Sequence, residues 1–484
     1  MATPIPQNVA RFSLDDLARL GSGRVLQRGP DVQGISTDSR ALAPGAAFVA
    51  LVGERFDGHA FLDQAVRHGA GAVVVSREVP LPAGVGAVLV TDTLAALGAF
   101  AGEHRARWGA TPHPAGDRAL IGVAGSAGKT TTTRTVAALL RVVAAEAGGG
   151  EVHATAGNLN NGIGVPMTLL GLSDEHRFAV VEIGTNNRGE VATLAAIARP
   201  EVGVVTTIGV EHTEGLGSLE EVAQEEGDLF AALPVGGVAV GNADDPQVMA
   251  QLVRSGARRQ VGYGTSEGAV YRIIGRRPVG LQGSVVDVVR DGKEVALRSP
   301  LLGEAGALAA VAALAVVEEL LGQRLSEEGA EKALTAMEPP TDGRLSALEL
   351  GDGTVVIDDS YNANPVSMRA SLRAAAELSG ALGRRLLLVL GEMRELGGLS
   401  GEEHDALGVE AAALRPVAVI AVAGDAARTA AAAAAAGASA IFVGSAEEAA
   451  GEVRTRVRPG DLVLVKGSRG VRMERIVEEL RERR

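Results

Sequence analysis

The sequence predicts an α/β protein of three domains: a small α/β N-terminal domain, a central doubly wound and mostly parallel sheet, and a C-terminal α/β domain. The length of 484 residues is sufficient for about three domains of ordinary size. Short apolar runs alternate with helical patterns along most of the chain, which is typical of parallel sheets covered by helices. Aromatic residues make up only 2% of the chain, so its cores must be built from Ala, Val and Leu.

The composition is ordinary for a soluble globular protein, with 46% hydrophobic and 22% charged residues. The absence of cysteine excludes disulfides and thiolate metal sites, and it is compatible with a reducing cytoplasm. The first residues lack the basic start and apolar core of a signal peptide, and the longest apolar run, residues 305–317, is too short to span a bilayer. The net charge is −13 and there is no basic stripe, which argues against nucleic-acid binding. We therefore expect a cytoplasmic protein, with a monomer as the working expectation, that binds neither membrane nor nucleic acid.

The first domain is predicted to span residues 1–112. Ser13 is typical of a helix N-cap. Three apolar runs indicate short strands, at residues 46–51, 72–75 and 87–90. Two polar segments are loops, at residues 36–40 and 53–59, and capping and turn formation alone would explain them. A segment rich in Pro, Gly and Thr, residues 108–117, is predicted to be a linker without regular structure.

The central domain, residues 118–338, begins with a glycine-rich turn between a strand and a helix. Residues 122–132 read GVAGSAGKTTT and lie between an apolar run and an apolar-periodic segment. Gly125 and Gly128 permit a tight turn, Lys129 supplies a positive charge, and the Thr130 hydroxyl can bind magnesium, so the segment is suited to holding a triphosphate. The pattern is the shorter G-x-x-G-K-T, and the alternative is an ordinary turn followed by a lysine. We predict a P-loop.

Polar clusters follow further strands of the central domain. Glu182 comes just after a predicted strand at residues 178–181, and His212 comes after one at residues 202–208. Because ligands collect at the carboxyl ends of strands in open α/β sheets, we expect both side chains on the same rim as the P-loop. A helix over residues 221–230 carries several acidic residues, for which a solvated face is the default interpretation.

The third domain, residues 339–484, has the same arrangement without a P-loop and is predicted to be Rossmann-like. Its strands are indicated at residues 355–357, 386–390, 417–422 and 461–465, and a polar cluster follows most of them. An alanine run, residues 430–436, is predicted to be plain helix.

Seven ordered motifs resemble those of the Mur ligases of peptidoglycan synthesis. They are STDSR at 36–40, FVALVGERFDGHAF at 48–61, GSAGKTTT at 125–132, GNLNNGIGVP at 157–166, HTE at 212–214, DDSYNANPVSM at 358–368, and VKGSRGVRME at 465–474. The motifs SYNANP and VKGSR are similar to those of family members that act on UDP-N-acetylmuramoyl-tripeptide and D-alanyl-D-alanine. The resemblance implies ATP-dependent amide formation through an acyl phosphate, with ATP and magnesium held by the central domain. It also implies that the N-terminal domain holds the UDP-sugar-peptide and that the C-terminal domain closes over both.

The resemblance also implies individual roles. Lys129, Glu182 and His212 are implied to act in catalysis. The implied ATP-binding residues are Gly125, Ser126, Ala127, Gly128, Lys129, Thr130, Thr131, Arg344 and Asp359. The implied substrate-binding residues are Ser36, Thr37, Asp38, Ser39, Arg40, Asn158, Asn161, Asn362, Asn364, Lys466 and Ser468. Thr130 and Glu182 are implied to hold one magnesium ion, and His212 a second.

Three positions depart from the family pattern. Glu226 stands where the family usually has a carbamylated lysine, and we predict that it supplies the missing negative charge to magnesium, directly or through water, as a fourth catalytic and metal-site residue. The segment 303–306 lacks the His-Asn pair that lies near the adenine in the family, so the nucleotide preference stays open. Asn187 stands where histidine is usual, and the sequence gives no physical reason for it.

Other interpretations stay open at this stage. One is a related ligase that joins another amino acid or dipeptide, or a folate-polyglutamate type ligase. Another is a non-catalytic protein that binds the nucleotide and the precursor, for which the departures at Glu226 and Ala305 are the only support. A P-loop switch or transport ATPase would leave Arg344 and the C-terminal motifs unexplained. The sequence does not say whether the third residue of the tripeptide is diaminopimelate or lysine.

Overall fold

The computed structural model describes residues 3–53, 56–146, 148–211, 213–337 and 343–482. The N-terminal part contains strands β1 (Arg11–Phe12), β2 (Arg24–Gln27), β3 (Val32–Gln33), β4 (Ile35–Ser36), β5 (Ala47–Val49), β6 (Val52–Gly53), β7 (Phe56–Asp57), β8 (Ala72–Val75) and β9 (Gly86–Leu89), and helices α1 (Leu14–Leu20), α2 (Leu62–Arg67) and α3 (Thr93–Ala110). The main sheet of this part has the order β2-β9-β8-β5-β4, parallel except for β2. The Ser13 hydroxyl accepts the N–H of Asp16, which confirms the predicted N-cap.

A linker without regular structure was predicted at residues 108–117, and this prediction is wrong for residues 108–110. Helix α3 continues through Trp108 to Ala110, so regular structure ends later than the Pro and Gly content suggested. The indole of Trp108 is buried and donates to the carbonyl of His176, 3.0 Å away, and the guanidinium of Arg105 lies over its ring. This contact with the central part stabilises the last turns of the helix. The rest of the predicted linker contains no helix or strand, and an isolated bridge joins His113 to Gly116.

The central part is the largest unit of the chain. Its strands are β10 (Ala119–Ala124), β11 (Glu151–Ala154), β12 (His176–Glu182), β13 (Val202–Val205), β14 (Val238–Asn242), β15 (Arg259–Gly264), β16 (Tyr271–Pro278), β17 (Ser284–Arg290) and β18 (Lys293–Ser299). Its helices are α4 (Lys129–Glu146), α5 (Gly164–Leu170), α6 (Glu190–Ala198), α7 (Thr213–Leu216), α8 (Leu219–Ala231), α9 (Pro246–Leu252), α10 (Gly303–Leu321) and α11 (Glu327–Thr335).

The central sheet has the order β11-β12-β10-β13-β14-β15-β16-β17-β18 and is parallel from β11 to β16. Strand β10, which leads into the P-loop, is buried along its whole length and pairs with β12 and β13. The strand ends that carry Glu182 and residues 206–211 therefore flank the P-loop on either side. Strands β17 and β18 continue the sheet from β16 in antiparallel orientation, an extension that the sequence interpretation did not contain.

The third part repeats the α/β design. It contains β19 (Ser346–Glu349), β20 (Val355–Asp359), β21 (Leu386–Gly391), β22 (Ala418–Val422), β23 (Ala440–Val443) and β24 (Leu462–Lys466), with α12 (Pro365–Leu382), α13 (Ser400–Ala413), α14 (Ala426–Ala435), α15 (Ala446–Arg456) and α16 (Glu474–Arg481). The sheet order is β19-β20-β24-β21-β22-β23, parallel except for β19. The alanine run forms α14, as predicted. These three sheets give the α/β fold class that the sequence predicts.

Apolar side chains cover both faces of the central sheet. On one face, Leu139 of α4 and Val311 of α10 belong to a buried cluster with the strands. On the other face, Leu97 and Phe100 of α3 share a cluster with Leu194 of α6, so the N-terminal part packs directly on the central part. The predicted boundary between residues 338 and 339 lies outside the described residues. In the part of the chain that the structure describes, no helix is both long enough and apolar enough to cross a bilayer.

Candidate active site

The candidate site is a cavity of about 1080 Å³ between the central and third parts. The P-loop forms its floor, and the strand ends that carry Glu182 and Glu211 form the central wall. Polar side chains at and after the ends of β20, β21 and β24 form the opposite wall, including Asn364, Glu395 and Lys466. The site thus lies at the carboxyl ends of parallel strands from two sheets, where open α/β sheets bind their ligands.

The P-loop has the conformation that its glycines allow. Gly125 and Gly128 have φ angles of 120° and 88°, which side-chain-bearing residues rarely adopt, and a Cβ on Gly125 would overlap Thr206. The N–H of Ser126 donates to the carbonyl of Thr207, 2.7 Å away, so the end of β13 fixes the loop. Helix α4 begins at Lys129, which places a helix N-terminus and a lysine at the floor of the cavity.

Lys129 lies among carboxylates. Its Nζ donates to the carbonyl of Gly125 and lies 3.7 Å from Glu211 Oε1. Burial lowers the pKa of Lys129, but the charges of Glu211, Glu226 and Glu182 outweigh it, so the pKa lies above its ordinary value. The ammonium group therefore stays charged at the position where the P-loop fold places phosphates.

Glu182 and Thr130 supply oxygen ligands suited to magnesium. Thr130 Oγ1 donates to Glu182 Oε2 at 2.6 Å, and the amide of Asn160 donates to Glu182 Oε1 at 2.7 Å. Within the described ranges, no group of three His, Asp or Glu side chains forms a closed metal site. Magnesium in phosphate-transfer sites is usually held by one or two carboxylates together with the substrate phosphates, so this open oxygen pair fits the ion. His212, the other predicted ligand, lies outside the described residues.

Glu226 is completely buried beneath the P-loop, so it does not lie on the solvated helix face that the charge cluster suggested by default. Its Oε2 accepts the N–H of Gly125 at 2.6 Å. The neighbouring Glu225 is also buried and accepts the N–H groups of Gly189 and Val191. The solvated-face interpretation is therefore wrong for both, because the two carboxylates are buried and accept backbone N–H groups, one from the P-loop and two from the start of α6. The role of Glu226 at magnesium stays a prediction.

The third part reaches the P-loop directly. Arg344 Nη1 donates to the hydroxyl of Thr130, and its guanidinium lies 3.9 Å above the ring of Tyr361. The amide of Asn364 donates to the carbonyl of Ser126 at 3.1 Å and to Glu211 Oε2 at 3.0 Å. Both residues were predicted at the site, and the structure brings them to it.

Asp359 and Lys466 are paired with each other. Lys466 Nζ donates to Asp359 Oδ2 at 2.6 Å and to the carbonyl of Asn362 at 3.0 Å, and its side chain is buried. The hydroxyl of Ser468 accepts the N–H of Arg394 and donates to the carbonyl of Ala363. These contacts connect the loops after β20, β21 and β24 and stabilise the opposite wall of the cavity.

The implied substrate-binding residues at positions 36–40 do not line the cavity. The Ser36 hydroxyl accepts the N–H of Asp38, and Arg40 forms two hydrogen bonds with that carboxylate, which keep the Asp38 pKa below its usual range. The Ser39 hydroxyl donates to Gln64, and Thr37 lies in the same bend. This loop lies after β4 in the N-terminal part and does not line the cavity.

Two asparagines after β11 line the cavity, and one of them contacts the N-terminal part. Asn158 lines the cavity and accepts a hydrogen bond from Thr3 at 2.6 Å. Asn161 also lines the cavity. Its Oδ1 accepts the N–H groups of Ile163 and Gly164 at the start of α5. The remaining P-loop residues, Ala127 and Thr131, line it as well.

Sequence reasoning missed several residues of the cavity. Asn160 donates a hydrogen bond to Glu182, and Glu211 lies opposite Lys129. Glu395 and Arg469 line the opposite wall, which the third part of the chain forms. Asn160, Glu211 and Arg469 lie within or beside quoted motifs, and Glu395 lies in the polar segment after β21, but only the structure shows that they line the cavity. The structure also gives Asn187 a contact: its amide donates to Glu190, whose carboxylate holds the loop after Glu182.

The fold and the site define a P-loop α/β enzyme in which a second α/β domain meets the phosphate loop. Three family models match the chain: the Mur ligase family catalytic domain over residues 31–105, the Mur ligase middle domain over 123–317, and the Mur ligase glutamate ligase domain over 343–469. The chain belongs to the Mur ligase family.

Curated relatives and solved structures are similar over nearly the full length. The UDP-N-acetylmuramoyl-tripeptide–D-alanyl-D-alanine ligase of Escherichia coli is 34% identical over 97% of this chain and 98% of its own. The enzyme of the same name from Synechocystis is 35% identical over 93% and 92%. A crystal structure of MurF from Acinetobacter baumannii has a TM-score of 0.85 at 28% identity and covers 98% of this chain and 100% of its own. The MurF ligase of Thermotoga maritima in complex with ADP has a TM-score of 0.78 at 26% identity, covering 93% and 97%.

Proposed function

We propose that the protein joins D-alanyl-D-alanine to UDP-N-acetylmuramoyl-tripeptide with consumption of ATP, forming an amide bond in peptidoglycan precursor synthesis. The observation that carries this function is the contact of two domains at the P-loop. Arg344 bonds to Thr130, and Asn364 bonds to both Ser126 and Glu211. Groups from both domains therefore surround the place where a γ-phosphate and two further substrates have to meet.

The cations of the site fit the chemistry of this reaction. A carboxylate resists attack by an amine because it is anionic and has a poor leaving group, and transfer of the γ-phosphoryl group converts it to an electrophilic acyl phosphate. The amine then attacks the carbonyl carbon, and phosphate leaves from a tetrahedral intermediate. Negative charge develops on oxygen atoms in both steps, so fixed cations and hydrogen-bond donors stabilise them. Lys129 and Arg344 are the charged donors at the P-loop end of the cavity.

We propose that residues of the P-loop and the central wall bind the phosphates and the magnesium ion. Lys129 holds the β- and γ-phosphates, and Thr130 and Glu182 hold a magnesium ion, with Asn160 orienting the carboxylate. When bound, magnesium neutralises charge on the phosphate oxygens and keeps them in place for transfer. His212 is proposed as a ligand of a second ion on the strength of the family motif.

The wider setting is also a proposal. Residues 1–112 hold the UDP-sugar-peptide through the 36–40 loop, residues 118–338 hold ATP, and residues 339–484 bring the dipeptide. We propose a cytoplasmic monomer, since ATP is available there and the chain has no cysteine that would call for an oxidising compartment.

The experiment is a phosphate-release assay in buffer stripped of carbon dioxide. It contains ATP, magnesium and UDP-N-acetylmuramoyl-tripeptide, with and without D-alanyl-D-alanine. The proposal expects release that needs both acceptor and dipeptide, and its loss in Lys129→Ala but not in Lys332→Ala, an exposed lysine on α11. ATP binding without any release would favour a non-catalytic binding protein and overturn the proposal.

A further inference from the structure

The segment of residues 3–8, which precedes β1, belongs to no helix or strand but is anchored at both ends. At one end, the side-chain amide of Asn8 donates to the carbonyl of Ile35 at 2.7 Å, and its Oδ1 accepts the Ile35 N–H at 3.1 Å. Ile35 begins β4, which leads directly into the loop at residues 36–40. This end of the segment therefore lies beside the loop that is proposed to hold the UDP-sugar-peptide.

The other end of the segment contacts a loop that lines the cavity. Thr3 Oγ1 donates to Asn158 Oδ1 at 2.6 Å and accepts the backbone N–H of Asn158 at 3.3 Å. The approach is close, because a Cβ on Gly157 would lie 2.3 Å from Thr3 Oγ1. One hydroxyl group thus contacts both the backbone and the side chain of Asn158, which is one of the residues that line the cavity.

The contact with Thr3 determines how the Asn158 amide is oriented. A carboxamide carries its acceptor oxygen and its donor nitrogen on opposite sides, and the proton of a hydroxyl bonds to the oxygen. With its oxygen on Thr3, Asn158 has its nitrogen as the group that it can offer to a ligand in the cavity. That nitrogen is a donor, so it suits a carbonyl or carboxylate oxygen.

The neighbouring asparagine of this loop is anchored by other residues. The amide of Asn160 donates to Glu182 at 2.7 Å, and its carbonyl accepts the N–H of Gly184 at 2.8 Å. These two contacts attach Asn160 to the end of β12 and to the residues that follow it. A change at Thr3 is therefore expected to act on Asn158 and to leave the carboxylate proposed for magnesium in place.

We propose that residues 3–8 form a strap between the N-terminal and central parts, and that Thr3 is a positioning residue that orients the Asn158 amide toward the UDP-N-acetylmuramoyl-tripeptide. This inference rests on the proposed function, in which that substrate extends from the 36–40 loop to the P-loop. The strap connects the same two regions, and the peptide part of the substrate carries the carbonyl and carboxylate oxygens that an amide N–H binds. Thr3 acts through Asn158 and not on the reacting atoms.

Two substitutions of Thr3 in the full-length protein test the role of its hydroxyl. Thr3→Val removes the hydroxyl and nearly keeps the shape, whereas Thr3→Ser keeps the hydroxyl. In the phosphate-release assay, Thr3→Val should raise the KM for UDP-N-acetylmuramoyl-tripeptide about three- to tenfold, the range of one hydrogen bond, with an unchanged KM for ATP. Thr3→Ser should stay within about twofold of the unaltered protein. Thr455→Val, the same substitution at an exposed position of α15, is the matched control.

A double-mutant cycle distinguishes positioning from a general loss of stability. In Asn158→Ala the amide that Thr3 orients is absent, so the addition of Thr3→Val should change the KM for the tripeptide substrate by less than about twofold. A full further rise of KM in the double variant would overturn the positioning role. An unchanged KM in Thr3→Val alone would overturn it as well.

Hydrogen exchange tests the strap without any turnover. Because the backbone N–H of Asn158 is bonded to Thr3, Thr3→Val should speed deuterium uptake about twofold or more in a peptide covering residues 156–163, and uptake in the P-loop should stay the same. Equal uptake of the two proteins in residues 156–163 would overturn the strap. Failure of the proposed function gives a different result, because the unaltered protein would then release no phosphate while the difference in uptake persisted.

Discussion

The carboxylate of Glu226 lies beneath the P-loop and accepts the N–H of Gly125, with 2.6 Å between Oε2 and the nitrogen. Helix α8 thereby supports the loop that precedes Lys129. The negative charge of Glu226, with those of Glu211 and Glu182, keeps the pKa of that lysine raised in spite of burial. The residue that departs from the family pattern is thus connected to the P-loop by both a hydrogen bond and charge.

Replacement of Glu226 by glutamine separates these two contributions. A glutamine oxygen can still accept the Gly125 N–H, but its charge is absent, so Lys129 loses part of the field that favours its ammonium form. We expect kcat/KM for ATP to fall about tenfold, which corresponds to about 1.4 kcal/mol. Phosphate release measured against magnesium concentration checks this. An unchanged rate with unchanged magnesium dependence would contradict any role of the charge, and Glu220→Gln, exposed on the same helix, serves as the control.

Replacement of Glu226 by lysine reverses the sign of the charge. An ammonium group beneath Gly125 would face Lys129 in a buried site, where like charges repel strongly. Reaction with carbon dioxide converts a lysine to an anionic carbamate, so added bicarbonate should raise the activity of Glu226→Lys severalfold. The unaltered protein should not respond to bicarbonate. An equal response of the two proteins would contradict the prediction, because the effect of bicarbonate would then not depend on the residue at position 226.

Asn364 has two tasks that one substitution can separate. Its Oδ1 accepts the N–H of Ser367 at 2.8 Å and caps α12, and its amide nitrogen bonds to Ser126 and Glu211 across the domain interface. Serine is also a good N-cap but has no amide group. Asn364→Ser should therefore keep the melting temperature within a few degrees and lower kcat/KM for all substrates about tenfold, the cost of one or two hydrogen bonds to polar and charged groups. Loss of stability with full activity would mean that only the cap matters.

Local patterns predicted much of the fold. The Ser13 cap, strand β8 and the strand–turn–helix around Gly125 depend on neighbouring residues, and the structure has them as expected. The burial of Glu226 could not be predicted, because its partner Gly125 is 101 residues away in the chain. The same holds for Asn364 on Ser126, 238 residues apart. The antiparallel extension was missed although its strands are seven or eight residues long, because they carry none of the polar clusters and motifs that marked the other strand ends.

The close approach of the third domain requires a glycine at position 209. A Cβ there would overlap Val366 Cγ2 at the start of α12. We expect Gly209→Ala to separate the domains at the P-loop and to lower kcat/KM about tenfold or more, since small displacements at the site cost that much. The double variant with Val366→Ala removes the overlapping methyl groups and should recover most of the activity. Absence of recovery would assign the effect to the backbone of the loop rather than to the contact.

The stability of the central domain should fall in mild acid because of His153. Burial, with the nearby charge of His176, lowers the pKa of His153 from 6.5 to about 4. Between these values the unfolded chain takes up a proton that the folded chain refuses, so stability is full above pH 6.5 and is lost progressively as the pH falls toward about 4. The expected loss is about 2 kcal/mol at pH 5.

Urea unfolding followed by the fluorescence of Trp108, the single tryptophan of the chain, measures this loss at pH 7.5 and pH 5.0. Its indole is buried against His176, so the signal reports the central domain. His153→Gln keeps a donor for the carbonyl of Thr168, which Nε2 contacts at 2.8 Å, and should reduce the difference between the two pH values by about 2 kcal/mol. The exposed His68→Gln should leave the difference unaltered, and an equal difference in both variants would assign the acid sensitivity to other groups, such as the paired carboxylates.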